Sequence, residues 1–465
     1  MTTKTPSPLM RDIKGFSRRD FFKGAGALAG LSVAGCGTVP ARRTAFGPGD
    51  KLRHASIGVG GMGFNDLKNF LSHPRVEVVA ICDVDADRLA KAAELAPKAR
   101  RYVDWREMLD KEPDIDSVNI AVPDHQHAII ALAAMRRGKN VYCQKPLCHD
   151  VAECREVALE AERCRVVTQL GTQFAAGGGD RIAVDLLRAG TIGAVKKVYL
   201  CSNRSTAGKY RLAGPRPAPC EIPKSLAWDL WLGTAPVRPY AEMVYHPMRW
   251  RSWLDFGTGW SGDIGCHIFD AVWKGMNLGK TAPKTIRAQV QESWKNTPAR
   301  RNDLWPQSNH ITWTFDGVPA SDGKPFTMEW FDGEFFPRED GQALAKEAGF
   351  EKFPEEAAMV FGTEGALLIP HQKMPHLLPK AKFASRKFDK LPFRNHYHDF
   401  ADGCLGVSEN ASPFPKTGPM AETIILGTVA VRCPDETLRW NADALAFDGN
   451  PAATALLRRT YRTGW

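Results

Sequence analysis

Three titratable residues, Asp263, His267 and Asp270, stand four and three positions apart in the stretch Gly257-Thr258-Gly259-Trp260-Ser261-Gly262-Asp263-Ile264-Gly265-Cys266-His267-Ile268-Phe269-Asp270. On a helix that spacing puts all three on one face, where a carboxylate orients an imidazole and stabilises its charge. An imidazole titrates near neutral pH without adjustment, so His267 is the candidate to take a proton from a hydroxyl, with Asp263 as its orienting partner. The plain alternative is an aspartate that caps a helix and a histidine packed in a core. A second chemical pattern lies far upstream, in the glycine-rich turn Ile57-Gly58-Val59-Gly60-Gly61-Met62-Gly63. In such a turn Gly58 permits the bend, Gly60 lets the backbone approach a pyrophosphate, and Gly63 lets a helix pack close to a strand. Asp83 follows at the separation of a carboxylate that accepts the hydroxyls of an adenosine ribose. It implies NAD rather than NADP, because a carboxylate there repels a 2′-phosphate and only Arg88 lies near enough to compensate.

The elements that must position these residues read as two domains after a leader. Between residues 51 and 171 the pattern predicts strands over 55–59, 76–81, 117–122, 140–143 and 166–170, with helices over 64–71, 87–95, 127–137 and 151–163. Alternation of this kind makes a doubly wound parallel sheet, in which ligands bind beyond the carboxyl ends of the strands. The segments to read for function are therefore Val122-Pro123-Asp124-His125-Gln126-His127 and Cys143-Gln144-Lys145-Pro146-Leu147. Taken singly, Lys145 reads as a solvated loop lysine and His125 and His127 as a helix-start pair; together, at successive strand ends, they read as a site.

From residue 172 to 465 tryptophan and proline become frequent and strands are predicted over 194–201, 285–292, 310–315 and 325–330. Such a run suggests an open, largely antiparallel sheet, packed by helices on one face and open to a partner on the other. Trp228, Trp231, Trp250 and Trp253, with Tyr245 and His246, either stack on sugar rings or pack a loop-rich region. Arg249 and Arg251 either hold hydroxyl or carboxylate groups by paired hydrogen bonds or are solvated. His396, His398 and Asp399 lack an accompanying cluster with ligand spacing, so no metal is expected. Residues 451–465 read as a basic helix and tail that packs back on the body.

The glycine turn, the Pro-Asp-His-Gln-His loop at Pro123 to His127 and the Lys145-Pro146 dipeptide, at these separations, resemble the Gfo/Idh/MocA oxidoreductases over essentially everything after residue 50. The resemblance implies an α/β chain: an N-terminal Rossmann domain and a C-terminal α+β domain with a large, mostly antiparallel open sheet through which such proteins form homo-oligomers. It implies NAD-dependent hydride transfer to or from a sugar, polyol or glycoside. Gly58, Gly60, Gly61, Met62, Gly63, Asp83, Pro123, Asp124, His127, Gln144, Lys145 and Pro146 would lie at the cofactor. Lys145, beside the nicotinamide, would be joined by Asp263 and His267 around the reacting carbon, with Trp250 and Arg251 at the substrate, and the bond before Pro146 would be cis. Gln144 stands where the family carries glutamate, which removes a charge beside the lysine. Some relatives are glycosidases that oxidise the sugar transiently, eliminate the aglycone and reduce again. This chain lacks the Tyr-Pro-Thr-His of the N-acetylgalactosaminidase branch, having Gly-Asp-Ile-Gly-Cys-His instead. A sugar-binding lipoprotein without catalysis is the remaining reading, and the presence of Lys145, Asp263 and His267 argues against it.

The first fifty residues read as a processing signal. Ser17-Arg18-Arg19-Asp20-Phe21-Phe22-Lys23 resembles a twin-arginine export signal, and Val33-Ala34-Gly35-Cys36 resembles a lipoprotein box that would make Cys36 the lipid-bearing residue of a periplasmic protein. The alternative is plain cleavage near Pro40-Ala41. The net charge of +10 falls to +6 once residues 1–35, with six Lys/Arg and two Asp, are removed. No dense basic run remains, and a nucleic-acid partner is set aside. Of the 11 cysteines, Cys82, Cys143, Cys201 and Cys266 sit in apolar runs as small core residues. Cys148, Cys154 and Cys164 flank a helix signal and would be free to pair in an oxidising compartment.

Overall fold

The computed structural model describes residues 45–203, 214–389 and 391–465; Arg18, Arg19 and Cys36 lie outside the described residues. The first domain is built on a six-stranded parallel sheet, ordered β3-β2-β1-β4-β5-β6. In chain order its elements are β1 (Leu52–Ile57), α1 (Met62–Leu71), β2 (Val76–Cys82), α2 (Ala86–Leu95), β3 (Arg100–Tyr102), α3 (Trp105–Lys111), β4 (Ser117–Ile120), α4 (His127–Arg136), β5 (Asn140–Cys143), α5 (Val151–Cys164) and β6 (Thr168–Leu170). Helices on both faces explain why β1, β2, β4 and β5 are buried along nearly their whole length. The sequence pattern did not reveal β3 and α3. β3 is a three-residue edge strand whose Arg100 and Arg101 are exposed, so it carries neither an apolar run nor alternation. β1 pairs with β2 on one side and β4 on the other, so the strand order reverses there and opens a crevice at the carboxyl edge.

The second sheet has nine strands in the order β13-β12-β11-β7-β10-β9-β8-β14-β15 and is mostly antiparallel, with β7 and β10 parallel. After α6 (Gly178–Arg188) come β7 (Val195–Ser202), the short α7 (Trp228–Leu232), α8 (Gly259–Gly275), β8 (Thr285–Val290), β9 (Asn309–Phe315) and β10 (Phe326–Asp332). Then follow α9 (Glu339–Ala348), β11 (Glu356–Gly362), β12 (Ala366–Pro370), β13 (His376–Leu378), α10 (His396–Cys404), α11 (Phe414–Arg432), β14 (Thr437–Asn441) and β15 (Ala446–Phe447). On one face α11 packs against α8, β8 and β9 and reaches α5 of the first domain. Trp313 of β9 is fully buried there, and its indole donates to Thr423 O at 2.9 Å.

The other face is not wholly open, contrary to expectation. Tyr199, Phe331, Met359 and Leu368 project apolar side chains from β7, β10, β11 and β12, and Ala345, Ala348 and Phe353, from α9 and the loop after it, bury them. Arg287 and Gln289 of β8 are exposed on the remaining part, beside half-buried Thr312 and Thr314 of β9. The tail packs back on the body as expected: Arg459 donates to Glu153 at 2.8 Å and reaches the His125 carbonyl, and Tyr461 donates to Glu153 at 2.6 Å.

Candidate active site

The glycine turn links β1 to α1 at the point where the strand order reverses. Gly58 adopts φ +78°, a left-handed conformation that favours glycine. A Cβ on Gly63 would run into the Gly58 carbonyl, so the first turn of α1 sits directly on the strand end. Asp83, at the end of β2, accepts from the amides of Val59 at 2.8 Å and Gly60 at 3.2 Å and, through its other oxygen, from Asp85 at 3.0 Å. Burial pushes its pKa up, and the backbone donors from Asp85 and Val59 oppose that. The carboxylate therefore pins the turn as well as lining the cleft beside it. A tight glycine turn at a helix N-terminus with an acid at the next strand end is a donor set that fits a dinucleotide.

The two loops read from the sequence converge at the ends of β4 and β5. The Lys145–Pro146 bond is cis. His127 lies behind it, with Nδ1 2.7 Å from Pro146 O and Nε2 2.8 Å from Val122 O. Burial pushes this imidazole down, while its two carbonyl partners pull the other way. His127 thus ties one loop to the other. It, Gly63 and Pro146 form the wall and do not line the cleft. His125 is likewise buried, its Nε2 3.1 Å from Leu232 O.

In front of this wall Lys145 Nζ donates to Asp263 Oδ1 at 2.8 Å, and Arg251 Nε donates to the same oxygen at 3.1 Å. Burial opposes ionisation of Asp263, but the Lys145 and Arg251 cations outweigh it and hold its pKa well below the usual carboxylate range. Asp124 stands on the other side of the balance. Its Oδ2 accepts from Thr258 Oγ1 at 3.0 Å, and burial, reinforced by the Asp263 charge, pushes its pKa up to about 7. Two neighbouring carboxyls driven apart in this way are a recurrent mark of acid–base sites.

α8 carries Asp263 and His267 to one cleft of about 990 Å³, which also holds Gly58, Gly60, Gly61 and Asp83. Two findings add to the sequence reading. Asp263 accepts from both Lys145 and Arg251 through Oδ1, so it serves the lysine. Asp270 accepts from Lys274 at 2.7 Å, one turn farther along, and lies outside the cleft lining. Gln144 stands beside a buried acid that the sequence reading did not connect with it. Its Nε2 donates to both oxygens of Asp66, at 3.0 and 2.9 Å, and Tyr397 donates to the same carboxylate at 2.8 Å. Asp66 is fully buried, and burial pushes its pKa up to about 7. Sequence reading missed this residue, although an aspartate on the apolar face of α1, beside Gly63, Leu67 and Phe70, was a visible anomaly.

Most of the aromatic segment packs against itself: Trp228 stacks on Trp231 at 4.7 Å, and Tyr245, Trp253 and Phe256 complete a separate small core. Trp231 and Trp250 line the cleft, with the Arg251 guanidinium 4.2 Å above the Trp250 ring. Phe174, His371 and Gln372, also in the lining, carried no motif. Cys148, Cys154 and Cys164 are free thiols, not disulfides. His396 lies 2.9 Å from Leu170 O and His398 2.9 Å from Ser72 Oγ. Among the described residues, no group of three or more His, Cys, Asp or Glu is placed to hold a metal, and no helix is long and apolar enough to cross a membrane.

Two family profiles match the chain: one described as oxidoreductase family, NAD-binding Rossmann fold, over residues 52–172, and one as oxidoreductase family, C-terminal alpha/beta domain, over residues 182–317. A glycosyl hydrolase family 109 protein of Shewanella pealeana is 29% identical over 201 residues, 38% of this chain and 44% of that protein. An inositol 2-dehydrogenase of Salmonella typhimurium is 34% identical over 114 residues, 24% of this chain and 33% of that enzyme. The chain thus aligns with less than half the length of these curated relatives. The WlbA dehydrogenase of Bordetella pertussis, solved with NADH and UDP-GlcNAcA, superposes with a TM-score of 0.58 at 13% identity, covering 84% of this chain and 99% of that one. It shares the fold. Residues 52–172 are an NAD-binding Rossmann domain.

Proposed function

Because the chain belongs to the Gfo/Idh/MocA oxidoreductase family, we propose that it transfers hydride between NAD and a sugar, polyol or glycoside. The observation that carries this reading is the meeting of Lys145, Asp263 and His267 in the cleft that the glycine turn opens. Gly58, Gly60 and Gly61 would hold the pyrophosphate, Asp83 the adenosine ribose, and Gln144 and Lys145 the nicotinamide end. NAD bound there supplies the hydride acceptor.

The chain's own groups supply alignment and proton handling. Lys145, its charge stabilised by Asp263, donates a hydrogen bond to the oxygen of the reacting hydroxyl and polarises it. His267 accepts that hydroxyl's proton, since an imidazole titrates close to ambient pH. Arg251 shares Asp263 with the lysine, which leaves the pair positively charged as negative charge develops on the oxygen. Asp124, its pKa pushed up by burial and by the Asp263 charge, opposes the two cations less than an ordinary carboxylate would. An inactive binding protein has no use for a buried lysine held against a carboxylate in this way.

Similarity to the glycosyl hydrolase family 109 protein favours one second reading, bond cleavage through transient oxidation. Initial rates on a panel of sugars, polyols and nitrophenyl glycosides separate the two when NADH absorbance and released nitrophenol are followed independently. Net NADH formation is the expected result. Aglycone release without NADH would move the assignment to the second reading, and neither signal would end both.

The twin arginine at Arg18-Arg19 and the Cys36 box support export to the periplasm with a lipid anchor, and the uncovered β8–β9 surface supports a homo-oligomer. A membrane-bound wild type and a soluble Cys36→Ala variant on cell fractionation would bear out the anchor. Wild type found in the soluble fraction would reject it.

A further inference from the structure

We infer that His371 reads a substrate hydroxyl beside the reacting one and so selects which ring compounds the site accepts; this rests on the sugar or polyol reading above. Three rings from three segments meet in the wall of the cleft. Phe174 comes from the turn before α6, His267 from α8 and His371 from the turn between β12 and β13. The Phe174 ring stands edge-on to His371 at 4.6 Å and to His267 at 6.1 Å, and the two imidazoles are 5.4 Å apart.

The turn that carries His371 is held firmly. Its amide donates to Glu356 O at 2.9 Å. Gln372, also in the lining, adopts φ +64°, and a non-glycine residue persists there only where its surroundings over-determine it. Here the next residue supplies that constraint: the Lys373 carbonyl lies so close to Gly179, in the first turn of α6, that a Cβ at 179 has no room. The turn is thereby locked to the segment that carries Phe174. A fixed imidazole next to the proposed base and beside an aromatic ring suits a ring with an apolar C–H face and adjacent hydroxyls. Phe174 takes the face, and His371, able to donate or accept, takes a hydroxyl. Position 371 lies beyond residue 317, where the second family profile ends, so the shared pattern does not specify this contact.

The test uses the NAD-loaded full-length protein with myo-inositol, D-glucose, methyl α-D-glucoside and their monodeoxy analogues. Wild type is expected to turn over at least one parent and to disfavour one of its analogues. His371→Ala should lower kcat/KM for the parent by about tenfold, the worth of one hydrogen bond near the upper end of the usual range, and mainly through KM. It should also erase the difference between the parent and that analogue. His371→Asn, which keeps a hydrogen-bonding group, should retain part of the discrimination, and NAD titration should give wild-type affinity in both variants. Unchanged discrimination in His371→Ala, or an equal loss on every compound through kcat, would overturn the inference while leaving the sugar reading intact. A wild type that neither turns over nor binds any panel member would overturn both.

Discussion

Lys145 Nζ lies 2.8 Å from Asp263 Oδ1, although 118 residues separate them in the chain. The pair joins the end of β5 in the first domain to α8 in the second and is the point where the nucleotide cleft becomes a reaction site. Both side chains are largely buried, at 14% and 8% exposure, so their attraction is little screened. Removing Lys145 leaves Arg251 on the carboxylate, whereas removing Asp263 takes the shared acceptor from two neighbouring cations.

Lys145→Ala and His267→Ala are each expected to cut turnover by about a hundredfold to ten-thousandfold, the usual worth of a positioned acid–base group. Neither residue reaches the glycine turn, so both variants should still bind NAD, with a weakening expected only in Lys145→Ala, which loses a contact at the nicotinamide end. Wild-type turnover in either variant, on a verified substrate, would remove that residue from the site.

Gln144→Glu is expected to destabilise the protein, because it sets a second carboxyl against Asp66 where an amide now donates at 2.9 Å. Leaving a buried donor–acceptor pair mismatched costs about 1–3 kcal/mol. The Asp66→Asn/Gln144→Glu double variant restores one carboxyl and one amide and should recover most of the loss in a denaturant melt. Additive losses in the double-mutant cycle would show that the two residues do not interact.

Asp83→Ala is expected to weaken NAD binding and to narrow its advantage over NADP. The variant loses the acceptor at the ribose end and also the contacts that pin Val59 and Gly60. Titration of both nucleotides checks this; an unchanged ratio of affinities would detach Asp83 from cofactor choice.

Asp180 sets a pH dependence of stability. Burial, with the Asp270 charge adding to it, pushes the pKa of Asp180 from 3.8 up to about 7. Between these values the folded state keeps a proton that the unfolded chain has released, so this group's contribution is complete below about pH 4, falls as pH rises and levels off above about 7. The slope reaches at most about 1.4 kcal/mol per pH unit. Asp180→Asn, which mimics the protonated acid, should match wild type only at about pH 4 and exceed its Tm by a margin that grows up to about pH 7. Parallel Tm profiles for the two proteins would refute the assignment.

The residue pattern by itself determined the Rossmann domain, the glycine turn, Asp83 and the two loops that bear Asp124 and Lys145. Each follows from short-range rules: apolar runs for strands buried on both faces, glycine where the backbone must bend or approach, and functional loops at strand ends. It also placed Asp263 and His267 on one helix face, since helical spacing is a local property. Only the tertiary structure decided which charges meet. Asp263 pairs with Lys145 because the end of β5 meets α8, and Gln144 finds Asp66 because α1 stands beside the end of β5. His371 and Phe174 carry no motif: they share a wall only because β12 and the turn before α6 are neighbours in space, and separations of that length leave no periodic trace in a sequence.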